Sequence, residues 1–328
     1  MVVSDGMADD VTDYHKSEIG RRHSWHGMKA LVKRILSWRV PHYLVRVAAT
    51  LAGGRIRRER LPAPAHVKSV EARMAGVSFV MNRPDRCIIA KELYWGRGVR
   101  PRSEDQLALD VFATVARDSK LVLDLGAYTG IFSLLAARAS EDADVHAFEV
   151  LPEVAKAALD NVVANDLLTR ITIHTEGVGK DGDSACLETG TGGSALPDFY
   201  STEFYFEKGV HVPIRSLDSI FEAFPESARG AKTAMKIDVE GTEDVVLQHA
   251  QVFLAANRPD IVCEVLPGRA NTAGVEAALR PHGYRFFRFG EQALTEHEDL
   301  IAQEPFRDWL FTTKTADELR AVGVSVNE

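Results

Sequence analysis

The amino-acid sequence predicts an α/β protein with a doubly wound, mostly parallel sheet. Three observations predict it. From Lys120 onward, apolar runs of strand length alternate with segments of helical periodicity. The run at 121–125 passes through Gly126 and Gly130 directly into a helical segment. A second run, at 145–148, ends in an acid, Glu149, 23 positions after Gly126. A strand, a glycine turn at a helix N-terminus and a carboxylate one βαβ unit later form a nucleotide-binding arrangement.

The elements follow in order. Residues 1–26 are polar and expected to be a disordered tail. Met28, Leu31, Val32, Ile35 and Leu36 then repeat at helical spacing among Lys29, Lys33 and Arg34. Pro41 interrupts the pattern, and Leu44, Val47, Ala48 and Leu51 resume it up to Gly53-Gly54. This basic amphipathic extension and its linker span 27–65, with Pro62 and Pro64 marking a boundary. A lead-in covers 66–119. Within it, 67–90 reads as short strands broken at Gly76 and at 82–85. Ser103–Ala116 reads as a helix with Ser103 as N-cap and Glu104 and Asp105 in its first turn.

The main domain is expected over 120–316, followed by a tail at 317–328. Strands are expected over 121–125, 144–148, 170–175, 233–238, 260–265, 284–289 and 308–313. Helices are expected over 130–139, 152–165, 242–254 and 271–280. An insert at 177–215 interrupts the alternation. It is rich in glycine and carries Phe199, Tyr200, Phe204, Tyr205 and Phe206. A long insert at that place suits a lid or a recognition segment, although the aromatics alone read as local core.

Composition excludes several classes. Net charge is −8 over 328 residues, but residues 15–60 carry twelve Lys/Arg against two acids, which is +10. The rest of the chain therefore carries −18, and an acidic body does not suit a nucleic-acid partner. Cys87, Cys186 and Cys263 are far apart, so neither a zinc site nor a disulfide framework is expected. His23 and His26 form a solvated pair in a polar tail. No apolar run reaches about 18 residues, so no transmembrane helix is expected. A cytoplasmic protein is the default. Two readings of 27–60 compete: docking on the main domain, and peripheral contact with the inner membrane face.

The glycine pattern is G-x-x-x-G, and the third glycine slot of a dinucleotide site falls on Ile131. That favours S-adenosylmethionine (SAM), which has no pyrophosphate to lay against the helix, over NAD. Gly126 and Gly130 let the chain turn tightly against a ligand, and the N–H groups that follow, around Ala127 and Tyr128, suit a carboxylate. Asp124 is a candidate for the ligand's ammonium, and Glu149 for its ribose hydroxyls. Val150, Gly177 and Val178 are candidates for the adenine. The run Met235-Lys236-Ile237-Asp238-Val239-Glu240-Gly241-Thr242-Glu243 ends the expected central strand. Asp238 is the first candidate there, as a general base, an orienting group or a cation ligand, and a further cofactor contact. Glu240 and Glu264 come second. Glu243 reads equally well as a first-turn helix acid. His211 and His249 read as surface or packing residues.

These residues resemble the FkbM-type SAM-dependent methyltransferases. The matching pieces are Leu123-Asp124-Leu125-Gly126-Ala127-Tyr128-Thr129-Gly130, Ala147-Phe148-Glu149, Val212-Pro213-Ile214-Arg215-Ser216-Leu217-Asp218 and 235–243. They lie within roughly 104–290, and Glu104 joins the candidate cofactor contacts at the start of that stretch. The resemblance implies a class I methyltransferase fold with a seven-stranded sheet whose last strand is antiparallel. It also implies SAM as cofactor and methylation of a hydroxyl on a sugar, glycan or natural product. The rival readings are a nicotinamide-dependent oxidoreductase, disfavoured by the glycine pattern, and an inactive methyltransferase-like binding module.

Overall fold

The computed structural model describes residues 61–187 and 210–327, with isolated positions between 35 and 47. The expected tail at 1–26, most of the extension at 27–60 and the insert aromatics at 199–206 lie outside the described residues. The chain forms two units, Met1–Lys68 and Ser69–Glu328.

The second unit opens with an antiparallel hairpin, β1 (Ser69–Met74) and β2 (Val77–Asn82), turned at Gly76. Helices α1 (Ile88–Gly96) and α2 (Ser103–Ala116) follow. Residues 88–90, expected as strand, begin α1 because the Cys87 sulfur accepts the Ala90 N–H and caps it. Ser103 is the first helical residue of α2 rather than its cap, a position taken by Arg102. The hairpin's outer edge is closed by a helix. Asn165 accepts the Val80 N–H (2.7 Å) and donates to the Val80 carbonyl (2.7 Å), and Asn161 accepts the Asn82 N–H (2.8 Å). Two asparagines one helical turn apart thus stand in for a strand partner.

The alternation then runs β3 (Leu121–Leu125), α3 (Ile131–Ala139), β4 (Asp144–Phe148), α4 (Pro152–Ala164) and β5 (Ile171–His174). The insert contributes β6 (Gly177–Val178), β7 (Ser184–Leu187) and β8 (Val210–Arg215), a small separate sheet ordered β6-β8-β7. After it come α5 (Leu217–Glu222), β9 (Thr233–Ile237), α6 (Glu243–Gln248), α7 (Gln251–Asn257), β10 (Asp260–Glu264) and α8 (Thr272–Leu279). The chain closes with β11 (Arg285–Phe289), β12 (Leu294–His297), β13 (Asp308–Thr312) and α9 (Ala316–Ala321).

The main sheet has the order β12-β11-β13-β10-β9-β3-β4-β5. Strands β3, β4, β5, β9 and β10 are mutually parallel where they pair, and β13 runs antiparallel to both β10 and β11. The seven expected strands are present, and β12 adds an eighth by hairpin pairing with β11. The sheet is buried on both faces. Leu109, Phe112, Leu134, Leu135 and Phe287 lie in one core, and Phe221, Phe253, Trp309 and Phe311 in the other. That is the class I methyltransferase architecture, a doubly wound sheet with its switch point between β3 and β9.

Two expectations need correction. Residues 317–328, expected as a tail, form α9 and a bridge from Val326 to Leu294. Thr315 and Glu318 make a capping box, and Leu319 and Val324 are buried. The helix expected over 242–254 is broken into α6 and α7, and Asp218 is the cause. Its N–H donates to the His249 carbonyl (3.2 Å) at the end of α6. Its carboxylate accepts the Val252 (3.1 Å) and Phe253 (2.9 Å) N–H groups that open α7. One residue thereby caps two helix ends. Asp218→Ala should lower stability by about 1 kcal/mol, the usual loss for a cap. Chemical denaturation checks it, and an unchanged midpoint would show that the break has another origin.

Candidate active site

The turn after β3 is shaped by backbone. Gly126 has φ 79°, and a Cβ there would lie 1.8 Å from the Asp238 carbonyl oxygen. Only glycine permits that approach. The Phe148 carbonyl at the end of β4 accepts both the Gly126 (3.0 Å) and Ala127 (2.9 Å) N–H groups. Tyr128 adopts φ 49°, and Gly130 opens α3 at φ 84°.

Glu149 locks this turn from the next unit. One carboxylate oxygen accepts the Tyr128 N–H and the other the Leu151 N–H, each at 2.9 Å. Glu149 is buried, which pushes its carboxyl up to about 7 against the pull of those two N–H donors. Asp124 is 1% exposed, and its Oδ2 accepts the Ser133 N–H (3.0 Å) and hydroxyl (2.5 Å). Burial lifts it to about 6. Asp124 therefore sits beneath the first turn of α3 and fastens that helix to β3. Ser133, its partner, escapes a motif-based reading because it lies inside an otherwise apolar helix.

Val150 and Gly177 meet across the crevice. A Cβ on Gly177 would stand 3.3 Å from Val150 Cγ1 and 3.0 Å from Ile214 Cγ1. Val178 is buried and pairs with Arg215 of β8. Glu104 lies at the start of α2, where Arg102 holds its carboxylate at 2.7 Å. Burial raises the Asp308 carboxyl, and Asp238 and then Asp105, the residue after Glu104, add to it.

The acids at the end of β9 divide into two groups. Asp238 donates its N–H to the Leu125 carbonyl (2.9 Å), and its side chain is 37% exposed. Glu264 ends β10, opposite Asp308 of β13. Arg307 holds one Glu264 oxygen at 3.1 Å, while burial and then Asp238 push that carboxyl well up. Glu240 stands apart. It is exposed, lies at φ 60° and pairs with Arg269 at 3.1 Å. Glu243 is buried, accepts the Gly241 N–H (2.9 Å) and braces the loop from inside. Sequence reasoning singled out neither Asp308 nor Arg307. Their strand runs against the others, so its first residues reach the same sheet edge as the last residues of β9 and β10.

His211 is exposed on β8, and His249 terminates α6. Among the described residues no group of three or more His, Cys, Asp or Glu is placed to hold a metal ion. Among them, too, no helix is long and apolar enough to cross a membrane.

Residues 124–286, about half of the chain, match the family model described as the methyltransferase FkbM domain. A tRNA1(Val) (adenine(37)-N6)-methyltransferase from Aliivibrio salmonicida (strain LFI1238) is 37% identical over 77 residues, 23% of this chain and 32% of that protein. The chain thus spans about a third of the curated relative it matches. A SAM-dependent methyltransferase from Agrobacterium tumefaciens aligns over 78% of this chain and 73% of its own, at 13% identity and a TM-score of 0.43. The O-methyltransferase TomG from Streptomyces achromogenes, solved with SAM, aligns over 64% and 80%, at 12% identity and a TM-score of 0.37. The domain match, on a sheet whose switch point carries the glycine turn and Glu149, makes this chain a member of the FkbM family of SAM-dependent methyltransferases.

Proposed function

We propose that this protein transfers a methyl group from SAM to a hydroxyl of a small molecule or glycan, with a sugar, a glycolipid or a natural product as the acceptor class. The observation that carries this reading is one juxtaposition. The Gly126 turn, which locks onto Glu149, touches the backbone of Asp238, a partly exposed carboxylate at the tip of the neighbouring strand.

SAM supplies a methyl group on a cationic sulfonium. The Ala127 and Tyr128 N–H groups are spent on Phe148 and Glu149, so a ligand carboxylate is assigned instead to the N-terminus of α3 beyond Gly130. Each Glu149 oxygen accepts one N–H and keeps lone-pair capacity for a ribose hydroxyl. Val150, Gly177 and Val178 wall the adenine side. Asp124 acts at one remove, by holding α3 in place through Ser133. Asp238 takes the proton of the acceptor hydroxyl as the new C–O bond forms, with Glu264 as the second candidate. Glu240, paired with Arg269, and Glu104, paired with Arg102, are assigned to the rim. The adenine acceptor of the Aliivibrio enzyme is not carried over, because the body outside 15–60 bears −18 and repels a polyanion.

Residues 27–60 suit peripheral contact with an anionic membrane. Ile35, Trp38, Tyr43, Leu44 and Val47 are all exposed, within a stretch whose charged groups are mostly Lys and Arg. This contact would serve an enzyme acting on a lipid-linked glycan. The rival is docking of the apolar stripe on the catalytic unit. The protein should float with anionic vesicles at low salt and be released at high salt. Failure to float at low ionic strength favours docking.

Two measurements test the chemistry. Ribose hydroxyls donate to the ionised form of Glu149, so binding expels the proton that burial retains below about pH 7. Affinity for S-adenosylhomocysteine should therefore rise with pH up to about 7 and then level off. Glu149→Gln should weaken it by about tenfold or more and flatten the profile. Calorimetry that detects NAD but no SAM would overturn the cofactor assignment. Asp238→Asn should cut methyl transfer to an accepted hydroxyl by about a hundredfold or more. Turnover near that of the unaltered enzyme would remove Asp238 as the base.

A further inference from the structure

Lys236 is a cation in the interior of the sheet, and the reading above gives it no task. Every residue of β9 is buried, and the Lys236 side chain is 4% exposed. An ammonium is strongly hydrated, so its burial is unfavourable without compensating partners. Its Nζ lies 3.7 Å from Asp308 Oδ1 and 4.0 Å from Asp238 Oδ2, and it donates to the Ile237 carbonyl at 3.2 Å. The Phe132 ring of α3 lies 5.4 Å away. The arrangement is inside-out: the cation is dry, while the two carboxylates it faces reach the crevice at 37% and 19% exposure.

An apolar residue would fill this strand position without any desolvation penalty. The position of the ammonium, behind two acids from different strands, points to a role at the crevice. We propose that Lys236 is a positioning residue for methyl transfer, its buried ammonium holding Asp238 and Asp308 side by side at the mouth of the crevice and keeping Asp238 ready to accept a proton. The proposal rests on Asp238 as the base.

The charged and titratable neighbours of Lys236 come from every side. β3 supplies Asp124, β10 supplies Cys263 and Glu264, and the stretch entering β13 supplies Arg307 and Asp308. α2 adds Asp105 beside Asp308, and α6 adds Glu243. In that company Lys236 remains charged, held above its ordinary value by Asp238, then Asp308 and Glu264, in spite of burial. The reverse effect falls on the acids. A cation about 4 Å away favours the ionised carboxylate, and a second carboxylate nearby disfavours it.

The test needs no acceptor. Full-length protein labelled at the aspartate carboxyl carbon is titrated by carbon NMR, with the Asp238 signal identified by its loss in Asp238→Asn. Lys236→Met should raise the Asp238 midpoint by about one pH unit or more, and Asp308→Asn should lower it. A lysine that only fills the sheet, with its charge screened from Asp238, would leave that midpoint unmoved. Unchanged midpoints, or shifts of the same sign, overturn the proposal. If Lys236→Met does not fold, Lys236→Gln decides in its place: an upward shift of the Asp238 midpoint supports the proposal and none overturns it. The turnover of Asp238→Asn separately tests the base assignment, so the two ideas fail independently.

Discussion

The site depends on how closely two backbone segments approach. The turn after β3 and the end of β9 meet so tightly that no Cβ fits at Gly126, and the Asp238 N–H bonds back to the Leu125 carbonyl. That contact ties the glycine turn to the strand tip bearing Asp238. Either segment could displace only by breaking a bond within the sheet. Positioning of this kind is set by main chain, which has far less freedom than a side chain.

Around the contact, each acid is placed by a different device. Asp124 is turned inward and held by Ser133. Glu149 is held by two N–H groups. Glu264 is held by Arg307 and Glu240 by Arg269. Asp238 shares the buried cation with Asp308 and is the more exposed of the two. This division explains how so many carboxylates gather at one sheet edge without scattering. They are partnered locally but still act on one another: besides burial, Asp238 raises the carboxyls of Glu149, Glu264 and Asp308.

The strand and helix alternation was legible because each element is long enough to show its period and β3 and β9 are wholly buried and mostly apolar, with one charge each. The glycine turn, Glu149 and Asp238 were legible as a motif. What escaped the sequence arises from tertiary contact. The break between α6 and α7 is made by Asp218, more than thirty residues earlier, and nothing between 242 and 254 announces it. Asp308 joins the acids only because β13 runs antiparallel. Helix α1 starts on a cysteine, which carries no strong capping signal. Asp124 also has a partner that its sequence position does not suggest, Ser133, whose N–H and hydroxyl donate to one carboxylate oxygen.

The asparagine pair on α4 has a consequence beyond local stability. A two-stranded ribbon is marginal alone, and its unpaired rim is a template on which another chain can build. Here Asn161 and Asn165 use up the groups along β2, and on the opposite side the Arg73 N–H donates to the Gly98 carbonyl (2.8 Å). The ribbon is sealed on both flanks by its own chain. Two amide side chains far from the sheet edge that carries the acids thus occupy a rim on which a strand from a second molecule could otherwise pair.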